Sequence, residues 1–198
     1  MRIATFNCNS VRSRLDVVLR WLADYAPDVL CLQETKVQDA EFPADAFRLA
    51  GWHVAFQGEK SYNGVALVSK HKPDEVAFGL DSAPADPTRL VHARFGQLHV
   101  VNTYVPQGRE IDHAMYPYKL EWFARLKKYF QKKIGTDAPL LWCGDLNVAR
   151  HPIDVTNPET KKNHVCYHQA VRDAFEDILA FGFTDLFRKH NPDLVDYS

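Results

Sequence analysis

From Trp52 to Val105 the chain keeps a hydrophobic period of two, and the stretches on either side of it do not. Few architectures accept that order. Trp52 to Phe56, Gly64 to Val68, Glu75 to Phe78, Leu90 to Phe95 and Leu98 to Tyr104 read as strands. Turn signals at Tyr62-Asn63-Gly64, Lys72-Pro73 and Phe95-Gly96-Gln97 separate them. Gly96 and Gln97 make the last pair a hairpin. Ahead of this meander lie two short apolar runs, Arg2 to Phe6 and Asp28 to Leu32. A predicted helix from about Arg14 to Tyr25 joins them, opening near Ser13 with Asp16 as capping-box partner. Leu15, Val18, Leu19 and Leu22 share one face of it, and Pro27 stops it.

After the meander a long helix starts at Pro117, with Tyr118, Trp122, Leu126, Tyr129 and Phe130 on its apolar face. A strand over Pro139 to Cys143 and a helix from Gln169 to Ala180 follow. Val171, Ala174, Phe175, Ile178 and Leu179 face inward on that helix, and Gly182 lies beyond its end. Strand–helix units around a meander predict one α/β domain over residues 1–198, with mixed sheets flanked by helices instead of a doubly wound parallel sheet. Arg150 to His168 is the longest stretch without periodicity, and a loop of that length is either functional or mobile.

Composition narrows the classes of function. Twenty-four basic and 25 acidic residues leave a net charge of -1, which excludes a histone-like polycation but not a nucleic-acid enzyme with a local basic surface. Cys8, Cys31, Cys143 and Cys166 are too widely spaced for a paired zinc motif and read as reduced cysteines of a cytoplasmic protein. No signal peptide and no membrane-length apolar run is expected.

Polar residues gather at the ends of the predicted strands. Glu34 directly follows Val29-Leu30-Cys31-Leu32. It either caps a short helix beyond or serves as a hard oxygen ligand for Mg2+ or Mn2+. In Gly144-Asp145-Leu146-Asn147 the two polar side chains point the same way if extended geometry continues. A carboxylate at Asp145 can orient or deprotonate a water, an amide at Asn147 can donate to a phosphate oxygen, and Gly144 permits close backbone approach. The competing reading is an Asx-turn leaving a strand. Asn7 either ligates a metal weakly or orients Glu34, while Asn9 serves the turn. Tyr104 offers a phenol to a phosphate oxygen, or is core. Six basic residues between Lys119 and Lys133 against one acid, Glu121, form either a backbone-binding surface or a solvated helix face. Lys161, Lys162 and His164 are better placed to meet a substrate.

Together these segments resemble the exonuclease III family of DNA-repair nucleases, within the endonuclease/exonuclease/phosphatase superfamily. The matching runs are Phe6-Asn7-Cys8-Asn9-Ser10-Val11-Arg12, Leu32-Gln33-Glu34-Thr35-Lys36, Asn63-Gly64-Val65-Ala66-Leu67, Tyr104-Val105-Pro106-Gln107-Gly108 and Gly144-Asp145-Leu146-Asn147, in family order. Similarity continues through His151-Pro152-Ile153-Asp154 and Gly182-Phe183-Thr184-Asp185-Leu186-Phe187. The resemblance implies a four-layered α/β sandwich with two mixed β-sheets flanked by helices. It implies Glu34 as principal metal ligand assisted by Asn7, with Mg2+ as cofactor and Mn2+ as substitute. Tyr104 would contact the scissile phosphate, Asp145 would align or activate water, and Asn147 would bind phosphate. Lys36, Asn102 and Arg109 would be substrate-binding. The implied partner is double-stranded DNA with abasic sites or 3′ ends, cleaved in base excision repair to leave 3′-hydroxyls.

One departure carries expectations of its own. Family members run on past the position matching Asp196-Tyr197-Ser198, through a tryptophan-rich segment and a closing Ser-Asp-His motif. Here only His113 directly follows an aspartate. The expectation is a family domain lacking its C-terminal part, with an incomplete second sheet. A full-length version would be a monomer. If Ser198 is the genuine end, the chain is expected to be marginal, to aggregate or to cover the exposed sheet face through a partner, with its activity open. The alternatives are a truncation, an excised fragment or an altered relative. Two other readings stand beside the nuclease: a non-catalytic DNA-binding remnant, and a superfamily phosphodiesterase of RNA, an inositol phosphate or sphingomyelin.

Overall fold

The computed structural model describes residues 1–196; Tyr197 and Ser198, on which the expectation about the chain end partly rests, lie outside the described residues. The chain forms two compact units. The first joins Met1–Tyr104 to Asp137–Leu146, and the second joins Val105–Thr136 to the stretch from Asn147 onward.

The first unit holds two four-stranded sheets. One contains β1 (Ile3–Asn7), β2 (Val29–Gln33), β3 (His53–Glu59) and β4 (Tyr62–Ser69), in the order β1-β2-β4-β3. The other runs β5 (Glu75–Phe78), β6 (Leu90–Phe95), β7 (Leu98–Tyr104) and β8 (Leu140–Asp145) in sequence order. Each sheet is mixed: β1 and β2 pair in parallel, as do β7 and β8, and every other pairing is antiparallel. Three of the five predicted meander strands have the expected ends, and the other two extend further. β4 starts at Tyr62, so its turn lies before the Tyr62-Asn63-Gly64 signal.

Alternation explains why β2 is buried along its whole length. Val29 and Cys31 face the second sheet, packing with Val65, Leu67, Val91, Ala93 and Val100. Leu30 and Leu32 face the other way, onto α1 (Val11–Tyr25) and α2 (Ala44–Leu49), with Val18, Leu22 and Phe47. A strand apolar on both faces can only lie between two layers. α1 begins earlier than Ser13. Ser10 is its cap, its side chain accepting from Ser13 N–H, and Ala26 closes it in left-handed geometry. β8 is an edge strand, half-buried throughout, so the second sheet is open on that side.

Gly144 is the glycine of the first unit with the least freedom to change. At φ 131° it sits opposite Thr103, and an added Cβ would lie 2.0 Å from the Thr103 carbonyl oxygen. Gly144→Ala combines backbone strain with a backbone clash, and is expected to destabilise by about 2–6 kcal/mol. The midpoint of urea unfolding measures it.

In the second unit α3 (Met115–Lys133) packs against α4 (Gln169–Leu179), with Phe123 and Phe175 edge-to-face at 6.3 Å. Val171, Phe175 and Ile178 are the buried residues of α4, on the expected face. α5 (Leu186–His190) is a single short helix capped by Asp185. The basic run of α3 is not a continuous surface, because Lys119 and Arg125 are buried and Lys127 is paired with Asp177 at 2.6 Å. Tyr118, expected on the apolar face, is only half-buried; Lys119 occupies the face beside Tyr116, Trp122 and Phe123. Among the described residues no helix is long and apolar enough to cross a membrane.

Candidate active site

Parallel pairing puts strand C-termini side by side. Asn7 is the register partner of Gln33, which places Glu34 just beyond the end of β2 next to the end of β1. Tyr104 is likewise the partner of Asp145. The four side chains meet. Asn7 Nδ2 donates to Glu34 Oε1 at 2.8 Å and to Asp145 Oδ2 at 2.8 Å, so one amide ties a carboxylate of the first sheet to one of the second. The Tyr104 hydroxyl hydrogen-bonds the same Glu34 carboxylate. Lys36 Nζ lies 2.7 Å from Glu34 Oε2 and donates to Asn9 Oδ1 at 2.5 Å.

Local backbone geometry turns Glu34 out of the strand. Its φ is 53°, and its carbonyl accepts from Ser10 N–H at 2.7 Å. A non-glycine residue in that region is held by its surroundings, and such strain gathers at functional sites. The helix-capping alternative is not realised: Glu34 caps neither α1 nor α2.

Partial burial would raise the Glu34 carboxyl, but hydrogen bonds from Asn7 and Lys36, the Lys36 charge and the Tyr104 hydroxyl outweigh it and hold the group below its ordinary value. Tyr104 moves the other way. Burial first, and then the Glu34 charge, push its phenol up to about 12, so at neutral pH it is a hydrogen-bond donor. Arg89 fixes the ring, with its guanidinium carbon 4.9 Å from the ring centroid and Nη1 donating to the Tyr104 carbonyl at 3.2 Å. Sequence reading missed Arg89. The signal was the β6–β7 register, since Leu90 opposite Thr103 puts residue 89 beside 104.

Glu34 and Asp145 are hard oxygen donors, and Mg2+ commonly binds through one or two carboxylates with water and substrate phosphate completing its shell. The residues fit that chemistry. No group of three or more histidine, cysteine or acidic side chains able to hold a metal occurs among the described residues. Asn7 is placed between the two carboxylates. Its nitrogen faces both of them and its Oδ1 accepts from Asn9 N–H at 3.1 Å, an arrangement that orients Glu34. The four cysteines are free thiols.

Asn102 is a correction. It is fully buried, donating to the Leu32 and Ala66 carbonyls at 3.0 Å each and accepting from Gln33 Nε2 at 2.6 Å. Its side chain cross-links the two sheets and is closed off from solvent. Gln33, which sequence reading passed over, is its buried partner.

Asn147 belongs to the second unit. Extended geometry does not continue past β8. Asn147 is left-handed at φ 48°, so the Asp145/Asn147 alternation expected for an extended strand is not formed. Its Nδ2 donates to the Val105 carbonyl at 2.9 Å. In the same unit Arg109 sits exposed on a turn at φ 61°, its N–H bonded to Gln107 Oε1 at 2.7 Å. His113 opens α3, with Nδ1 accepting from Met115 N–H at 3.0 Å. Lys161 and Lys162 fall in a turn-rich stretch, where Lys162 pairs with Glu159 at 2.6 Å, and the His164 ring accepts from Cys166 N–H at 3.2 Å.

A sequence profile described as the Endonuclease/Exonuclease/phosphatase family matches residues 4–196. The structure of an AP endonuclease from Archaeoglobus fulgidus superposes with a TM-score of 0.97 at 49% identity, covering 100% of this chain and 77% of that one. Exodeoxyribonuclease III of Haemophilus influenzae is 31% identical over 99% of this chain and 78% of its own length. A DNA-(apurinic or apyrimidinic site) endonuclease of Dictyostelium discoideum is 32% identical over 97% of this chain, which spans 54% of that relative.

Proposed function

Because this chain belongs to the Endonuclease/Exonuclease/phosphatase family, we propose that it hydrolyses phosphodiester bonds of double-stranded DNA at abasic sites and 3′ ends. Mg2+ is the proposed cofactor, with Glu34 holding it and Asn7 orienting Glu34. The observation that carries the reading is the single amide of Asn7 joining the Glu34 and Asp145 carboxylates, with the Tyr104 phenol on Glu34. The names of the archaeal and bacterial relatives support the choice of DNA over other phosphodiesters. Four free cysteines support a reducing, cytoplasmic setting.

When bound, a divalent cation supplies positive charge to the phosphoryl oxygens as negative charge develops there. Asp145 orients the attacking water and accepts its proton. Tyr104, kept protonated by burial and by Glu34, turns its single O–H from Glu34 to a non-bridging phosphate oxygen when DNA binds. Asn147, with one amide N–H on the Val105 carbonyl, donates the other to phosphate. Lys36, now at Glu34, and exposed Arg109 are the proposed cationic contacts to the DNA backbone.

The test is product analysis on a duplex carrying one abasic site, with Mg2+. The expected result is incision 5′ to the lesion, leaving a 3′-hydroxyl, and no hydrolysis of sphingomyelin vesicles. Salt-sensitive duplex binding without cleavage would instead mark a non-catalytic binding protein.

A further inference from the structure

Lys119 is a lysine in a place where helix periodicity asks for a hydrophobe. It lies on the buried face of α3 between Tyr116 and Trp122, and its side chain is fully buried. An ammonium taken out of water is costly unless its hydrogen bonds are replaced. Here they are. Nζ donates to the carbonyls of Gln107 at 3.1 Å, Asn147 at 2.6 Å and Val165 at 2.9 Å, matching the three donors of an ammonium. Those carbonyls come from three separate segments: the turn after β7, the residue two beyond β8, and the end of the long aperiodic loop. The stem of Lys119 passes close under Gly108, where an added Cβ would lie 3.3 Å from Lys119 Cδ.

The shortest of the three bonds goes to Asn147, whose left-handed backbone needs outside support. Arg125, the other buried cation of α3, lies 3.6 Å from the Glu121 carboxylate, whereas Lys119 meets three converging carbonyls. We propose that Lys119 is a positioning residue for phosphodiester cleavage, its buried ammonium holding the Asn147 main chain so that the Asn147 amide is presented to phosphate. This rests on the activity proposed above. Lys119 touches no substrate and acts through Asn147.

A double-mutant cycle in the full chain tests it, using incision of a single-abasic-site duplex in Mg2+ and far-UV circular dichroism as a fold control. Lys119→Met, which fills the space without the charge, is expected to lower kcat by about 100-fold, the effect of a misplacement on the scale of 1 Å. KM should change by less than about threefold, since ground-state binding is not the target. Combined with Asn147→Ala, Lys119→Met should slow cleavage no further than Asn147→Ala alone. If the Met variant fails to fold, Lys119→Gln, which keeps a donor and drops the charge, takes its place in the cycle. Unchanged kcat in the lysine variant, or losses that multiply in the double variant, would overturn the inference while leaving the nuclease reading intact. Failure of the unaltered chain to cut, or full activity in Asn147→Ala, would remove the reading it rests on.

Discussion

Asp145→Asn is expected to lower the rate of DNA cleavage by about 10²–10⁴-fold, the range that a positioned general base contributes. Fold and duplex affinity should be nearly unchanged. The carboxylate accepts one bond from Asn7 Nδ2 at 2.8 Å, and an asparagine side-chain oxygen can accept the same bond. Size is kept, and Gly144, which fixes the backbone against Thr103, is untouched. What is lost is the capacity to take a proton from water and the negative charge presented to it. Single-turnover incision read alongside duplex affinity separates these terms. A parallel fall in affinity and rate would mean that Asp145 serves binding and not the water.

Glu34→Gln is expected to act on the cation. Three side chains converge on this carboxylate: Asn7 through Oε1, Lys36 through Oε2, and the Tyr104 hydroxyl. With the charge removed, the Lys36 ammonium loses its partner and the site loses its principal anionic oxygen. Mg2+ affinity should fall by about 10–100-fold or more, given that losing even an outer partner of a metal ligand costs that much. Calorimetric titration with Mg2+ measures this without reference to activity. The native carboxyl is held below its ordinary value, so it stays charged through the mildly acidic range. Its contribution to stability is complete above the unfolded carboxyl's value and is lost as pH falls through the lowered folded one.

Much of this was legible in the residues. Position at or just beyond a predicted strand end singled out Asn7, Glu34, Tyr104 and Asp145, and the structure brings Asn7, Glu34 and Asp145 into direct hydrogen-bond contact. The meander strands were legible too, because period two survives wherever one face is buried. The rest depended on register and on long-range contacts. Asn102 was named only through the family resemblance; two residues before the end of β7, it lies inside the sandwich and bonds across to Gln33, Leu32 and Ala66. Lys119 read as part of a basic helix face, because no local pattern announces three carbonyls from distant segments. The Ser13 start for α1 failed for a simpler reason. Two candidate serines lie three apart, and the backbone turn at Asn9 and Ser10, both with positive φ, selects the earlier one.

Incision of a single-abasic-site duplex across a Mg2+ titration, run on the unaltered chain, Glu34→Gln and Asp145→Asn, tests the division of labour between the two carboxylates. The unaltered chain should cut at low Mg2+. Glu34→Gln should be slow there and climb toward the unaltered rate as Mg2+ rises, while Asp145→Asn stays slow at every concentration. Equal rescue of both variants, or undiminished cutting by Asp145→Asn, would contradict the assignment of one carboxylate to the cation and the other to the water.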